Sequence, residues 1–172
     1  MSAHEAKINQ ELVKQFFDYQ DGKLFWKISR TNSIKAGDEA GTLNKVGYRQ
    51  IGLKINNKKA IFATHRLIYL YHYGFIPKEV DHINLVKTDN RIENLREATR
   101  SQNNINRLPR SDNKSGVSGV YFCKKSKLWI ARLWINKKCV WMQKFNTLEE
   151  AAEVRHEKNV LINKDFARKC YV

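Results

Sequence analysis

Hydrophobic spacing divides the chain into two differently patterned stretches. Ile8, Leu12, Val13 and Phe16 recur at helical intervals and predict a short amphipathic helix over residues 5–17. Asp21-Gly22 then turns into Lys23–Ile28, a strand-like run, and a polar stretch follows from Ser29 to Asn44. Tyr48–Ile55 and Ala60–Ala63 flank Asn56-Asn57-Lys58-Lys59 and predict a β-hairpin. Thr64 is placed to cap a helix carrying Leu67, Ile68, Leu70 and Tyr71, with Gly74 at its end and Pro77 beyond. Phe75–His82 reads as a short strand. After it Asn103 falls in the first turns of a helix that Thr99 or Ser101 can cap.

A polar, breaker-containing stretch over residues 108–116 is the expected linker. Beyond it the pattern changes to three short strands near 118–123, 128–135 and 139–145, and then a helix. Asn146 and Thr147 are its candidate caps, with Glu149 and Glu150 each three residues on as capping-box partners. Strict alternation sets Val120, Phe122, Trp129, Ala131, Leu133, Val140 and Met142 on one face, against Leu148, Ala151 and Ala152 of the helix. The other face collects Tyr121, Arg132, Trp134, Trp141 and Gln143, with Lys124 and Lys125 at a hairpin. The fold class is therefore α+β, in three segments: 1–107, a linker over 108–116, and a sheet-plus-helix domain over 117–172.

Composition narrows the partner. Lys and Arg number 32 against 17 Asp and Glu, a net charge of +15. Such a surplus favours a polyanion, because each neutralised phosphate releases condensed counterions. No apolar run approaches the roughly 20 residues of a spanning helix, and the first residues lack a signal-peptide pattern, so a cytoplasmic protein is expected. Cys123, Cys139 and Cys170 form no Cys-x-x-Cys pair and suggest neither a zinc ribbon nor a disulfide frame.

The chemistry concentrates between Val80 and Asn106. Cutting a phosphodiester needs an activated water, a cation to hold charge on the phosphate, and groups that position both. Asp81 and His82 are adjacent, Asn94 follows His82 by 12 residues, and Asn103 follows Asn94 by 9. Neighbours on a strand point to opposite faces, so a local twist or bulge is needed to make Asp81 and His82 converge. Each residue alone has a structural alternative: Asp81 as a turn or cap, His82 as a hydrogen-bonded core histidine, Asn103 as helix decoration. His65 reads as a packing residue.

The run Thr64-His65-Arg66-Leu67, Gly74-Phe75-Ile76-Pro77, Val80-Asp81-His82-Ile83-Asn84, Lys87 through Thr99 and Gln102-Asn103-Asn104 resembles the HNH nuclease family. The likeness is to its phage and mobile-element (homing) branch, over roughly residues 45–107. It implies a ββα-metal fold and metal-dependent hydrolysis of duplex DNA. By position it implies that His82 is the general base and that Asn94 holds the loop and orients His82. It further implies that Asp81 and Asn103 bind one divalent cation, Mg²⁺ or else Mn²⁺, and that Arg66 and Arg96 are candidates for clamping DNA. The family's third motif position is often His. Asn103 in its place disfavours Zn²⁺ or Ni²⁺.

Residues 115–156 resemble the small DNA-binding domain of plant ethylene-response transcription factors. The resemblance rests on Ser115-Gly116-Val117, Gly119-Val120, Lys127 through Ala131, Val140-Trp141 and Phe145 through Ala152. It implies DNA contact through Tyr121, Arg132, Trp134 and Trp141, and the basic Lys124 and Lys125 at the neighbouring hairpin are further candidates for that contact. Met142-Gln143 replaces the usual Leu-Gly pair, and the arginines expected on the first strand are largely missing. The expected protein is thus a homing-type endonuclease acting on duplex DNA, as monomer or homodimer. A non-catalytic, sequence-specific DNA-binding regulator that retains the fold is the alternative.

Overall fold

The computed structural model describes residues 8–107, 109 and 111–167. The start of the helix expected over 5–17, Leu108 and Arg110 of the expected linker, and residues 168–172 of the second domain lie outside the described residues. The chain divides into two compact units, Met1–Ala98 and Thr99–Val172.

The first unit opens with α1 (Gln10–Phe16), capped by Asn9, whose side chain accepts from the Leu12 amide at 2.9 Å. The helix ends before Phe17, one residue short of the expected end. Phe17 starts β1 (Phe17–Gln20), which pairs with β2 (Lys23–Trp26) in an antiparallel hairpin. Phe17 is fully buried, and its ring lies 4.6 Å from that of its cross-strand partner Trp26. A buried aromatic pair of this kind outweighs one more residue of helix.

The polar stretch holds a short strand, β3 (Thr42–Leu43), which joins β4 (Arg49–Ile55) and β5 (Lys58–Ala63) in the order β3-β4-β5. Asn56 and Asn57 alone make the β4–β5 turn, both at positive φ, as a two-residue hairpin with right-twisting strands requires. Next comes α2 (Thr64–Tyr73). Its N-cap is Ala63, without a side-chain bond, and the expected capping residue Thr64 is instead the buried first helical residue. Gly74 ends the helix in the left-handed region, φ 78°, with its N–H donating to the Leu70 carbonyl. Leu67, Ile68 and Leu70 of α2 share one apolar cluster with Val13, Leu24, Ile51 and Leu53. Against this core β6 (Glu79–His82) pairs antiparallel with β7 (Leu95–Ala98).

The second unit begins with α3 (Arg100–Ile105), capped by Thr99 in a capping box with Gln102. β8 (Val120–Cys123), β9 (Leu128–Ile135) and β10 (Lys138–Phe145) form an antiparallel sheet with β9 at its centre. α4 (Leu148–Asn163) follows, capped by Thr147 with Glu150; of the two expected caps, Thr147 makes the bond. Its buried Arg155 reaches back to the sheet, Nε donating to the Arg132 carbonyl at 2.7 Å.

One expectation about this sheet is corrected. The β9–β10 register passes from Cys139↔Trp134 to Trp141↔Leu133, leaving Val140 as an extra residue. Such a bulge reverses the alternation after it. Trp141 and Phe145 therefore join the core side, packing with Val117, Val120, Ala131, Ala151 and Ala152. Val140 and Met142, expected to be buried, are exposed. Among the described residues no helix is long and apolar enough to cross a membrane.

Candidate active site

The site in the first unit is built on the end of β6 and the loop that returns to β7. Asp81 and His82 occupy the last two positions of β6, opposite Arg96 and Leu95. Both are buried, at 4% and 5% exposure. Beyond His82 the chain makes a tight reversal, with Leu85 at φ 66° and its N–H donating to the His82 carbonyl at 3.0 Å.

Short polar side chains hold this loop together. Asn94 Oδ1 accepts from the Asn84 backbone N–H at 3.0 Å, and its side-chain NH₂ donates to Asn84 Oδ1 at 2.9 Å and to the Asp89 carbonyl at 2.7 Å. Asn84 in turn donates to Asp89 Oδ2 at 2.7 Å. Arg91 closes on Asp89 with two charged hydrogen bonds of 2.9 Å. The Arg91 guanidinium, with Asn84, holds the Asp89 carboxyl far below the usual carboxylate range.

His82 is oriented by a residue that sequence spacing did not single out. Its Nε2 and Asn90 Oδ1 lie 2.8 Å apart, within hydrogen-bond distance, and Asn90 is itself buried. The side chain of Asn94, the position carried over for orienting His82, bonds to Asn84 and to the Asp89 carbonyl in the loop. Burial lowers the His82 pKa below the ordinary histidine value, while the Asn90 hydrogen bond and the charges of Asp81 and Asp89 oppose the shift. The imidazole is therefore neutral near pH 7 and able to take a proton.

Around His82 stand two further rings. His65 meets it edge-on at 5.0 Å between centroids, and Tyr48 lies 6.0 Å away, itself 5.4 Å from His65. Lys87 Nζ sits 5.1 Å over the Tyr48 ring. Burial first, then the charges of His82 and Arg66, push His65 down to about 3. A histidine depressed in the folded state stays neutral there while the unfolded chain takes up the proton. Its stabilising contribution is thus complete above about pH 6.5 and is lost as pH falls toward about 3. Replacing His65 with Gln is expected to flatten the fall of the melting midpoint across that window. Identical slopes for the two proteins would remove His65 as a cause.

Asp81 is tied to Arg96, whose Nε and Nη2 both donate to Oδ2, at 2.9 and 2.8 Å. In this ion pair Asp81 is buried and Arg96 largely so, its guanidinium facing a carboxylate in place of the open solvent that a phosphate clamp needs. Arg66, the other clamp candidate, donates from Nη1 to the Lys78 carbonyl at 3.3 Å. Asn103 lies in α3 and belongs to the second unit.

As to a cation, no group of three His, Cys, Asp or Glu side chains converges among the described residues. The donors in question are a buried carboxylate and an amide oxygen. That chemistry suits a hard ion of the Mg²⁺ kind, which keeps several of its waters and binds through one or two carboxylates.

In the second unit the open face of the sheet carries a stacked trio. The Arg132 guanidinium lies 4.5 Å over the Tyr121 ring and 5.8 Å from that of Trp134. Trp134 is 50% exposed. A cavity of about 990 Å³ borders this face, with Arg100, Arg107, Arg132 and Lys137 in its walls and no acidic side chain among the residues described there. Lys124 and Lys125 are exposed at the β8–β9 turn. Trp141, expected beside them, faces α4 because of the bulge at Val140.

Residues 62–105 match the family model described as HNH endonuclease, a span that contains Asp81, His82, Asn90, Asn94 and Asn103. No curated protein matches the chain. Among solved structures, one described as "DNA binding and cleavage by the HNH homing endonuclease I-HmuI" is similar at 20% identity. The match covers 84% of this chain and 82% of that one, with a TM-score of 0.42.

Proposed function

We propose that this protein is a metal-dependent DNA endonuclease of the HNH type, with His82 as general base and the second unit as DNA anchor. One observation carries the reading: a buried, neutral histidine, its ring fixed by Asn90, stands next to a buried aspartate inside the segment that matches the HNH endonuclease model. Core histidines are common, but a strained, fully stapled loop built around one is what a positioned base needs.

In the proposed reaction the water oxygen attacks phosphorus and the bond to the 3′ oxygen breaks. The leaving 3′ oxygen takes a proton from solvent water, so the products are a 5′ phosphate and a 3′ hydroxyl. His82 takes the proton of the attacking water, and Nδ1 is the nitrogen that carries the lone pair while Nε2 is bonded to Asn90. Asp81 would be a ligand of the divalent cation, and Asn103 is the other ligand that its position in the matching segment suggests. When bound, that ion supplies charge stabilisation on the phosphate and on the leaving oxygen. Asn94 keeps the loop closed so that His82 does not drift.

For the anchor, the positive cavity and the Tyr121–Arg132–Trp134 trio support contact with a nucleic-acid backbone and groove edges. Arg132→Ala is expected to weaken duplex binding and to reduce the slope of log affinity against log salt by about 1. Trp134→Ala should weaken binding without changing the melting temperature. Trp141→Ala should do the reverse, costing about 3 kcal/mol of stability, since it removes part of the core. Gel shifts across a salt series and thermal melts separate the three, and a Trp141→Ala protein that melts normally but binds weakly would undo the face assignment.

The central test incubates the full chain with supercoiled plasmid in Mg²⁺, in Mn²⁺ and in EDTA. Relaxed or linear product in metal alone is expected. Binding without cutting in either metal, across several plasmid sequences, would make the chain a DNA-binding regulator.

A further inference from the structure

We propose that the N-terminal hairpin and Asn90 form one positioning device for His82: Asn90 selects the ring tautomer, and Tyr19 and Gly22 fix the backbone that carries Asn90. The functional consequence rests on the nuclease reading above. The structural claim does not.

The tautomer follows from what faces the ring. His82 Nε2 and Asn90 Oδ1 are 2.8 Å apart and both residues are buried. Were the proton on Nδ1, the lone pairs of Nε2 and of Asn90 Oδ1 would meet at that distance between two buried groups, at the cost of an unsatisfied buried pair. With the proton on Nε2 the contact is a hydrogen bond, and Nδ1 becomes the basic nitrogen. A general base needs its lone pair on one defined atom, so whatever sets the tautomer sets which atom does the chemistry.

Asn90 can do this only if its own backbone stays in place, and the loop around it is irregular. Two contacts from the first hairpin reach that backbone from about 70 positions away in the chain. The Tyr19 hydroxyl accepts from the Ile92 amide at 3.1 Å. Gly22, at φ 79° in the β1–β2 turn, lies so close that a Cβ there would stand 2.6 Å from the Arg91 nitrogen and 2.9 Å from the Asn90 carbonyl carbon. No side chain fits that gap. Glycine at this turn thus serves two ends at once: the left-handed backbone of the turn and the close approach to the Asn90–Arg91 peptide. On the far side Asn94 donates to the Asp89 carbonyl, so the Asp89–Ile92 segment is gripped from both flanks. Asn90, Tyr19 and Gly22 are positioning residues that act through His82.

The test reads the imidazole directly and cutting separately. In full-length protein labelled with ¹⁵N-histidine, long-range ¹H–¹⁵N correlations report the tautomer of His82, assigned by its disappearance in His82→Gln. The wild type is expected to show the Nε2–H pattern. Asn90→Ala should lose it and cut about 10–100-fold more slowly, with kcat reduced and KM within a factor of about two. Asn90→Asp, which keeps an acceptor oxygen at the same place, should restore the Nε2–H pattern. Tyr19→Phe, which keeps the ring and drops only the acceptor, should lower kcat about 10-fold without lowering affinity for DNA. Gly22→Ala is the more severe variant, and if it does not fold, Tyr19→Phe decides the hairpin's part. An Nδ1–H pattern in the wild type, or an unchanged Nε2–H pattern in Asn90→Ala, would overturn the role of Asn90. Unchanged kcat in Tyr19→Phe would overturn that of the hairpin. If the wild type cuts nothing, the nuclease reading fails, while the imidazole spectra of wild type and Asn90→Ala still decide the structural claim.

Discussion

His82→Ala binds duplex DNA like the wild type and cuts it about 10²–10⁴-fold more slowly: this is the outcome expected if a positioned base carries the reaction. The substitution removes the imidazole from a buried position while the strand pairing of β6 with β7 and the Asn84–Asp89–Asn94 staple remain. Loss of activity without loss of fold is therefore expected. Single-turnover nicking of supercoiled plasmid, beside a gel shift at one fixed salt concentration, separates the two quantities. The pH profile adds a second reading. A base must be unprotonated to act, so the rate falls as pH drops through its pKa. Burial lowers the His82 value, so the acid limb should lie below the ordinary histidine pKa of about 6.5. A cation held at Asp81 would push it the same way. Equal cutting by His82→Ala would assign the activity to a different centre.

Asp81→Ala should fail twice, in stability and in metal response. It removes the carboxylate that accepts two charged hydrogen bonds from Arg96 and leaves that guanidinium in a largely buried place. Removing one partner of a buried pair costs about 3–5 kcal/mol, so the protein should melt markedly earlier. It should also cut slowly at any Mg²⁺ concentration. The two effects can be parted with the double substitution Asp81→Ala, Arg96→Met. Replacing the guanidinium that has lost this carboxylate with an apolar chain of similar length is expected to recover much of the stability and none of the cutting. Urea unfolding and an Mg²⁺ titration of plasmid cutting measure these. A double variant that folds well and cuts at wild-type rate would take Asp81 out of the reaction.

Several elements were legible from local pattern. The β4–β5 hairpin announces itself through Asn56-Asn57, since asparagine tolerates the positive φ its turn needs. The Thr147 and Thr99 caps follow from a hydroxyl three residues ahead of Glu or Gln. These are short-range effects, set within a few residues of the chain. The positions of Asp81, His82 and Asn94 were legible for a related reason, because one hairpin loop of fixed length brings them together.

What escaped the sequence depends on partners far along the chain or on one inserted residue. Nothing local distinguishes Phe17 as a strand residue; its burial against Trp26 does. Alternation placed Trp141 on the open face, and the single bulge at Val140 turned it to the core. Asn90 sits eight residues from His82 and gains its role only when the loop closes on itself. Arg96 read as a candidate for clamping DNA until strand pairing set it opposite Asp81. By itself the sequence determined most of the helices and hairpins, the α+β class, the basic character and the candidate residues for hydrolytic chemistry, since each of these is a property of residue type and short spacing. Only the tertiary structure decided which partner each polar group takes and which face each strand residue presents. Those choices are made by burial, where every buried donor, acceptor and charge must be satisfied by whatever the fold brings within about 3 Å.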